Sequence, residues 1–155
     1  MKKLSFAIAL AVLGLALGQY TQTTVAAEAK DAWLTDYAKA QAQAKEQKKA
    51  ILMDFTGSDW CPPCKQLHKT VLSSSEFKKL AEQKLVLVEV DFPENKKQSE
   101  ALKKANAELE KKFKVEGYPT IVVVDANGKE LFREEGYDGS SAKEYVGKLA
   151  KALGK

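Results

Sequence analysis

The chain has 155 residues, 45% apolar and 30% charged, and carries a net charge of +4. That length suits one domain better than two, and this balance of apolar and charged side chains excludes a wholly disordered chain. The lysines are dispersed among Asp and Glu and form no basic block, which argues against a nucleic-acid-binding surface.

Residues 1–27 read as a secretion signal. Lys2 and Lys3 supply a positive end, Leu4 to Leu17 is an apolar run, and polar Gln19 to Thr24 leads to Val25-Ala26-Ala27. The run is shorter than the roughly 20 residues a membrane span needs, so cleavage after Ala27 is expected, with Ala29 as the second choice and a retained anchor as the lesser alternative. The mature domain would then be residues 28–155, periplasmic or secreted and with no stable membrane insertion. Without Lys2 and Lys3 it carries 23 basic and 21 acidic side chains.

Asp31 is placed to cap a helix from Ala32 to Lys48 with Trp33, Leu34, Tyr37 and Ala38 on one face. Ala50 to Phe55 is a nearly continuous apolar run, the pattern of a strand covered on both sides. After the turn Thr56-Gly57-Ser58-Asp59, the segment Trp60-Cys61-Pro62-Pro63-Cys64 opens a helix carrying Leu67, Val71 and Leu72. Ser73-Ser74-Ser75 interrupts that helix, and Phe77 to Gln83 resumes it. Leu85 to Val90 is a second strand. Asn95 to Lys114 is helical, with Leu102, Ala105, Leu109 and Phe113 on one side. Thr120 to Val124 is a third strand, Asn127-Gly128 a hairpin turn, Glu130 to Arg133 the returning strand, and Ser140 to Leu153 a closing helix. Strands separated by helices imply parallel pairing, with the hairpin adding one antiparallel strand. The fold class is α/β, a mixed sheet of four to five strands between helices; any strand before Trp33 is weak.

The chain has two cysteines and one histidine. A bridge between Cys61 and Cys64 closes a very short loop and so stabilises little, which favours chemistry over stapling. A structural zinc site needs four protein ligands, and Cys61, Cys64 and His68 fall short, so no metal is expected. With Cys61 at a helix N-cap, unpaired amides and the positive end of the helix favour its thiolate, the nucleophile of disulfide exchange. Cys64, one turn on, can resolve the mixed disulfide. Cys61 is therefore expected to be exposed and Cys64 buried.

The stretch from Ile51 to Phe55 with Trp60-Cys61-Pro62-Pro63-Cys64-Lys65 resembles the active-site segment of the thioredoxin superfamily. Gly117-Tyr118-Pro119-Thr120 is similar to that family's cis-proline loop, and Gly136 to the glycine that lets a substrate chain approach. The likeness covers about residues 31–153. The Thr56–Asp59 turn further resembles secreted bacterial members, including the soluble end domain of membrane disulfide reductases. The resemblance implies the thioredoxin fold, attack by Cys61, resolution by Cys64, and substrate binding around Trp60, Pro63, Tyr118, Pro119 and Gly136. It also implies a cis bond before Pro119 and no cofactor. The family's buried acid lies six residues before the first cysteine. Asp54 lies seven before Cys61, and one extra residue in the turn restores the match. Asp54 is then either the proton acceptor for Cys64 or an ordinary acid at a strand end.

Pro62 and Pro63 have no amide hydrogen, so the Cys61 sulfur has few donors and its thiolate is stabilised only modestly. A strong oxidant needs the opposite. A reducing enzyme is expected, acting as a monomer on disulfide-containing proteins and recharged by a membrane electron donor. An isomerase, an oxidase and a redox-inert peptide-binding module are the alternatives.

Overall fold

The computed structural model describes residues 33–154, so the signal reading of residues 1–27 and the Asp31 cap lie outside the described residues. The sheet has five strands: β1 (Trp33–Leu34), β2 (Ala50–Thr56), β3 (Leu85–Asp91), β4 (Thr120–Val124) and β5 (Glu130–Glu135), in the order β1-β3-β2-β4-β5. This is the thioredoxin fold. Around the sheet stand α1 (Tyr37–Gln47), α2 (Pro62–Leu67), α3 (Ser75–Lys84), α4 (Glu100–Lys112) and α5 (Ala142–Ala152).

Side-chain caps decide where the helices begin. Asp36 starts α1, its carboxylate accepting from Lys39 N at 3.1 Å. The helix expected from Ala32 is therefore shorter, and Trp33 and Leu34 leave it to pair with Leu87 and Val88 of β3. Ala40 and Ala44, not Trp33 and Ala38, form its buried face. Ser99 caps α4 later than Asn95, and Asn106 takes the buried position expected for Ala105. Between α2 and α3 the chain widens by one residue over His68–Leu72, where Ser73 N bonds His68 O. Ser74 then caps α3. Ser141 and Glu144 form a reciprocal capping box at α5, a device that satisfies two orphan amides at once.

One strand direction differs from expectation. β1, β3 and β2 are parallel, but β4 runs antiparallel to β2, with Thr120 opposite Phe55 and Ile121 opposite Asp54. Alternation of helix and strand encodes neighbours, not direction. Here the irregular stretches 92–99 and 113–119 on either side of α4 are long enough to bring the chain back to the sheet end it left.

Two cores follow from the pleat. Ile51, Met53, Phe55, Val88 and Val122 pack with Ala40, Ala44, Leu109 and Phe113 on one face. Leu52, Leu87, Ile121 and Val123 pack with Leu67, Phe77, Tyr145 and Leu149 on the other. Residues two apart in a strand share a face. On the second face, Leu52 is therefore followed by Asp54 and Thr56, and Leu87 by Glu89 and Asp91. The sheet turns polar at the carboxyl ends of β2 and β3, the edge where open α/β sheets place their sites.

Candidate active site

β2 delivers the chain to the turn at residues 56–59, and Cys61 N bonds Gly57 O at 2.9 Å to close it. Cys61 is the N-cap of α2 in an extended conformation (φ −87°, ψ 106°), with Pro62 and Pro63 in the first two helical positions. Its sulfur accepts from Cys64 N at 3.3 Å. The two cysteines form a disulfide with a Cα separation of 5.3 Å. Both residues are 3% exposed, so the expected contrast between an exposed Cys61 and a buried Cys64 is absent from the oxidised state.

The Tyr118–Pro119 peptide is cis. β4 pairing with β2 brings this loop beside the cysteine turn, and Gly136 N donates to Pro119 O at 2.7 Å. Gly136 has a φ of +76°, and a Cβ built on it meets nothing within 4 Å. Its outer side is therefore open to another chain. Pro119 is buried, Tyr118 half-buried, and Pro63 exposed beside the cysteines.

An aromatic wall stands along this edge. Trp60, 38% exposed, donates its ring N–H to Phe92 O at 2.8 Å and meets the Tyr118 ring edge-on at 6.0 Å. Tyr118 stacks on Phe92 at 5.0 Å and donates its hydroxyl to Glu110 of α4. Burial, reinforced by Glu110, pushes the Tyr118 hydroxyl pKa up. A Cβ on Gly57 would come within 2.5 Å of the Trp60 ring, so only glycine lets the indole lie over the turn.

Asp59 fastens the turn to the loop after β3. Its carboxylate accepts from the amides of Glu94, Asn95 and Lys96 at 3.0, 2.7 and 3.0 Å. Desolvation pulls the other way, but these amides hold Asp59 below the usual carboxylate range. Ser58 gives Asp91 both its amide and its hydroxyl, and Lys96 Nζ donates to Ser58 Oγ at 2.8 Å. Sequence reasoning missed Phe92, Lys96 and this role of Asp59, because each works through a partner more than 30 residues away in the chain.

Asp54, in β2, is 5% exposed, with Oδ1 buried and without a hydrogen-bond partner. Burial, then the nearby Glu89 and Asp91, raise its pKa to about 7. A cavity of about 350 Å³ is lined by Asp54, Thr56, Ser58, Cys64, Lys65, His68, Glu89 and Lys96. The structure thus brings the buried acid and the second cysteine to one cavity. His68 stands exposed at its rim.

Residues 37–153 match the family described as thioredoxin-like domain. The chain is similar to the disulfide bond reductase DsbH of Chlamydia pneumoniae, 40% identical over 138 residues, 89% of this chain and 82% of that protein. A solved structure of a DsbH oxidoreductase superposes with a TM-score of 0.73 at 42% identity, covering 78% of this chain and 83% of that one. The thiol:disulfide interchange protein DsbD of Actinobacillus pleuropneumoniae is 40% identical over 86 residues, 55% of this chain but only 13% of that much longer protein.

Proposed function

This chain belongs to the thioredoxin-like domain family and is a thiol:disulfide oxidoreductase; from that premise we propose that it is exported and reduces disulfides in other proteins. The Cys61 thiolate attacks one sulfur of the substrate disulfide, forming a mixed disulfide and releasing the other substrate sulfur as a thiolate. Cys64 passes its proton to the Asp54 carboxylate and attacks Cys61 Sγ. The second substrate sulfur leaves, the substrate holds two thiols, and the enzyme holds the Cys61–Cys64 disulfide. A dithiol donor of the same chemical class, on the membrane side, then returns two electrons.

The observation that carries the reducing direction is the start of α2. Pro62 and Pro63 occupy its first two positions and have no N–H, and the Cys61 sulfur accepts from Cys64 N. A thiolate with so few donors gains little stabilisation, whereas a strong oxidant owes its potential to a heavily stabilised thiolate. The name of the DsbH relative, a disulfide bond reductase, supports the same direction. Trp60, Pro63, Tyr118, Pro119 and Gly136 make the substrate edge. The backbone of Tyr118 pairs with an extended segment by strand addition, with Trp60 packing on its side chains. Among the described residues no helix is long and apolar enough to cross a membrane.

Insulin reduction tests the activity. With dithiothreitol as electron donor, the protein is expected to precipitate insulin chains well ahead of dithiothreitol alone. Precipitation at the uncatalysed rate would instead favour a redox-inert peptide-binding module.

A further inference from the structure

Glu89 is a group that the mechanism above does not use. Ala50 and Leu85 start β2 and β3 side by side, and the parallel register then sets Asp54 directly opposite Glu89. Register partners in neighbouring strands point to the same face, and both carboxylates line the cavity that Cys64 also lines. Asp54 is deeply buried, whereas Glu89 is half-buried. The pair therefore leads from the interior toward the surface.

We infer that Glu89 is a positioning residue for disulfide exchange, its negative charge keeping Asp54 a base strong enough to take the proton of Cys64. The inference rests on the reading of Asp54 as that base. Two carboxylates at one site resist ionising together, so a second negative charge raises the affinity of the first for a proton. A proton acceptor works best when its affinity matches the working pH. A solvated carboxylate is too weak for a thiol; burial does most to correct this, and the charge of Glu89 adds to it.

Asp91, two residues beyond Glu89 on the same face, already accepts from Ser58 N and Oγ. From the loop after β3, Lys96 gives its ammonium to Ser58 Oγ. From α2, Lys65 gives its ammonium to Asp59 O. His68, after α2, has its ring Nδ1 against Ser73 Oγ. These partners draw Lys65 and Lys96 toward the turn at residues 56–59.

Two readouts test the role on the full exported protein. The first is the titration of the Asp54 side-chain carboxyl in the oxidised state, followed by carbon-13 NMR. In Glu89→Gln the midpoint is expected to fall by about one pH unit, and in Glu89→Asp to return toward wild type. The second is the pH profile of insulin reduction between pH 5 and 9. Its Asp54-dependent limb should move to lower pH in Glu89→Gln while the plateau falls several-fold, because the base is weaker. A merely structural Glu89 would lower stability or rate without moving either midpoint, and unchanged midpoints in Glu89→Gln overturn the inference. Asp54→Asn separates the two failures. If it removes the limb while Glu89→Gln leaves the limb in place, only the role of Glu89 falls. If Asp54→Asn keeps the wild-type limb, Asp54 is not the base and both ideas fall.

Discussion

Cys64→Ser is expected to accumulate covalent complexes with substrate proteins, while Cys61→Ser forms none. In the variant lacking Cys64, Cys61 still attacks, but the thiol that should release the product is gone. Resolution then depends on an external thiol. An intramolecular nucleophile one helical turn away acts at a very high effective concentration, so multiple turnover should fall by about 100-fold or more. The complexes should appear on non-reducing gels and vanish on reduction. The equal exposure of the two cysteines in the oxidised state gives accessibility no say in the assignment. The N-cap position of Cys61 and the shared cavity of Cys64 and Asp54 support it instead. Equal trapping by Cys61→Ser would reverse the roles.

Asp54→Asn is expected to stabilise the oxidised protein and slow the enzyme. The folded-state pKa of Asp54 is about 7 against 3.8 for a free side chain. The folded protein thus holds a proton that the unfolded chain releases. Stability contributed by this group is whole below the unfolded value, declines as pH rises, and is lost once pH passes the folded value. A gap of about three pH units corresponds to about 4 kcal/mol, an upper bound for a cavity that water can enter. Asparagine carries no charge, so its advantage over wild type should be near zero at pH 4 and approach that figure at pH 8. Denaturant unfolding of the oxidised forms at both pH values measures it. An advantage that does not grow with pH would mean Asp54 ionises freely. Insulin reduction at neutral pH should fall by about 100-fold, the usual contribution of a positioned base.

Much of this was legible in the chain because it is local. The apolar run of β2, the Asn127-Gly128 hairpin and the placement of Cys61 at a helix start each depend on a few adjacent residues. β1 was not, since two residues become a strand only by pairing with Leu87 and Val88. The antiparallel direction of β4 was hidden for the same reason. In the site, the resemblance pointed to Cys61, Cys64, Pro119 and Asp54, and the structure sets Asp54 and Cys64 at one cavity and the cis Tyr118–Pro119 bond beside them. It could not supply Phe92, Lys96 or the Asp59 clamp, which exist only once the loop after β3 folds against the cysteine turn. Glu89 lay between. It is the fifth residue of β3 as Asp54 is of β2, and aligning the two strands from their first residues would have paired them.

The equilibrium potential of the Cys61–Cys64 pair tests the direction of exchange most directly. The protein is equilibrated in graded glutathione buffers, quenched with acid and alkylated, and the reduced fraction is read by mass. A potential near that of thioredoxin, about −270 mV, is the result expected for a reductase, far from the roughly −120 mV of a strong oxidant. A value above about −180 mV, in the range of isomerases and oxidants, would contradict it.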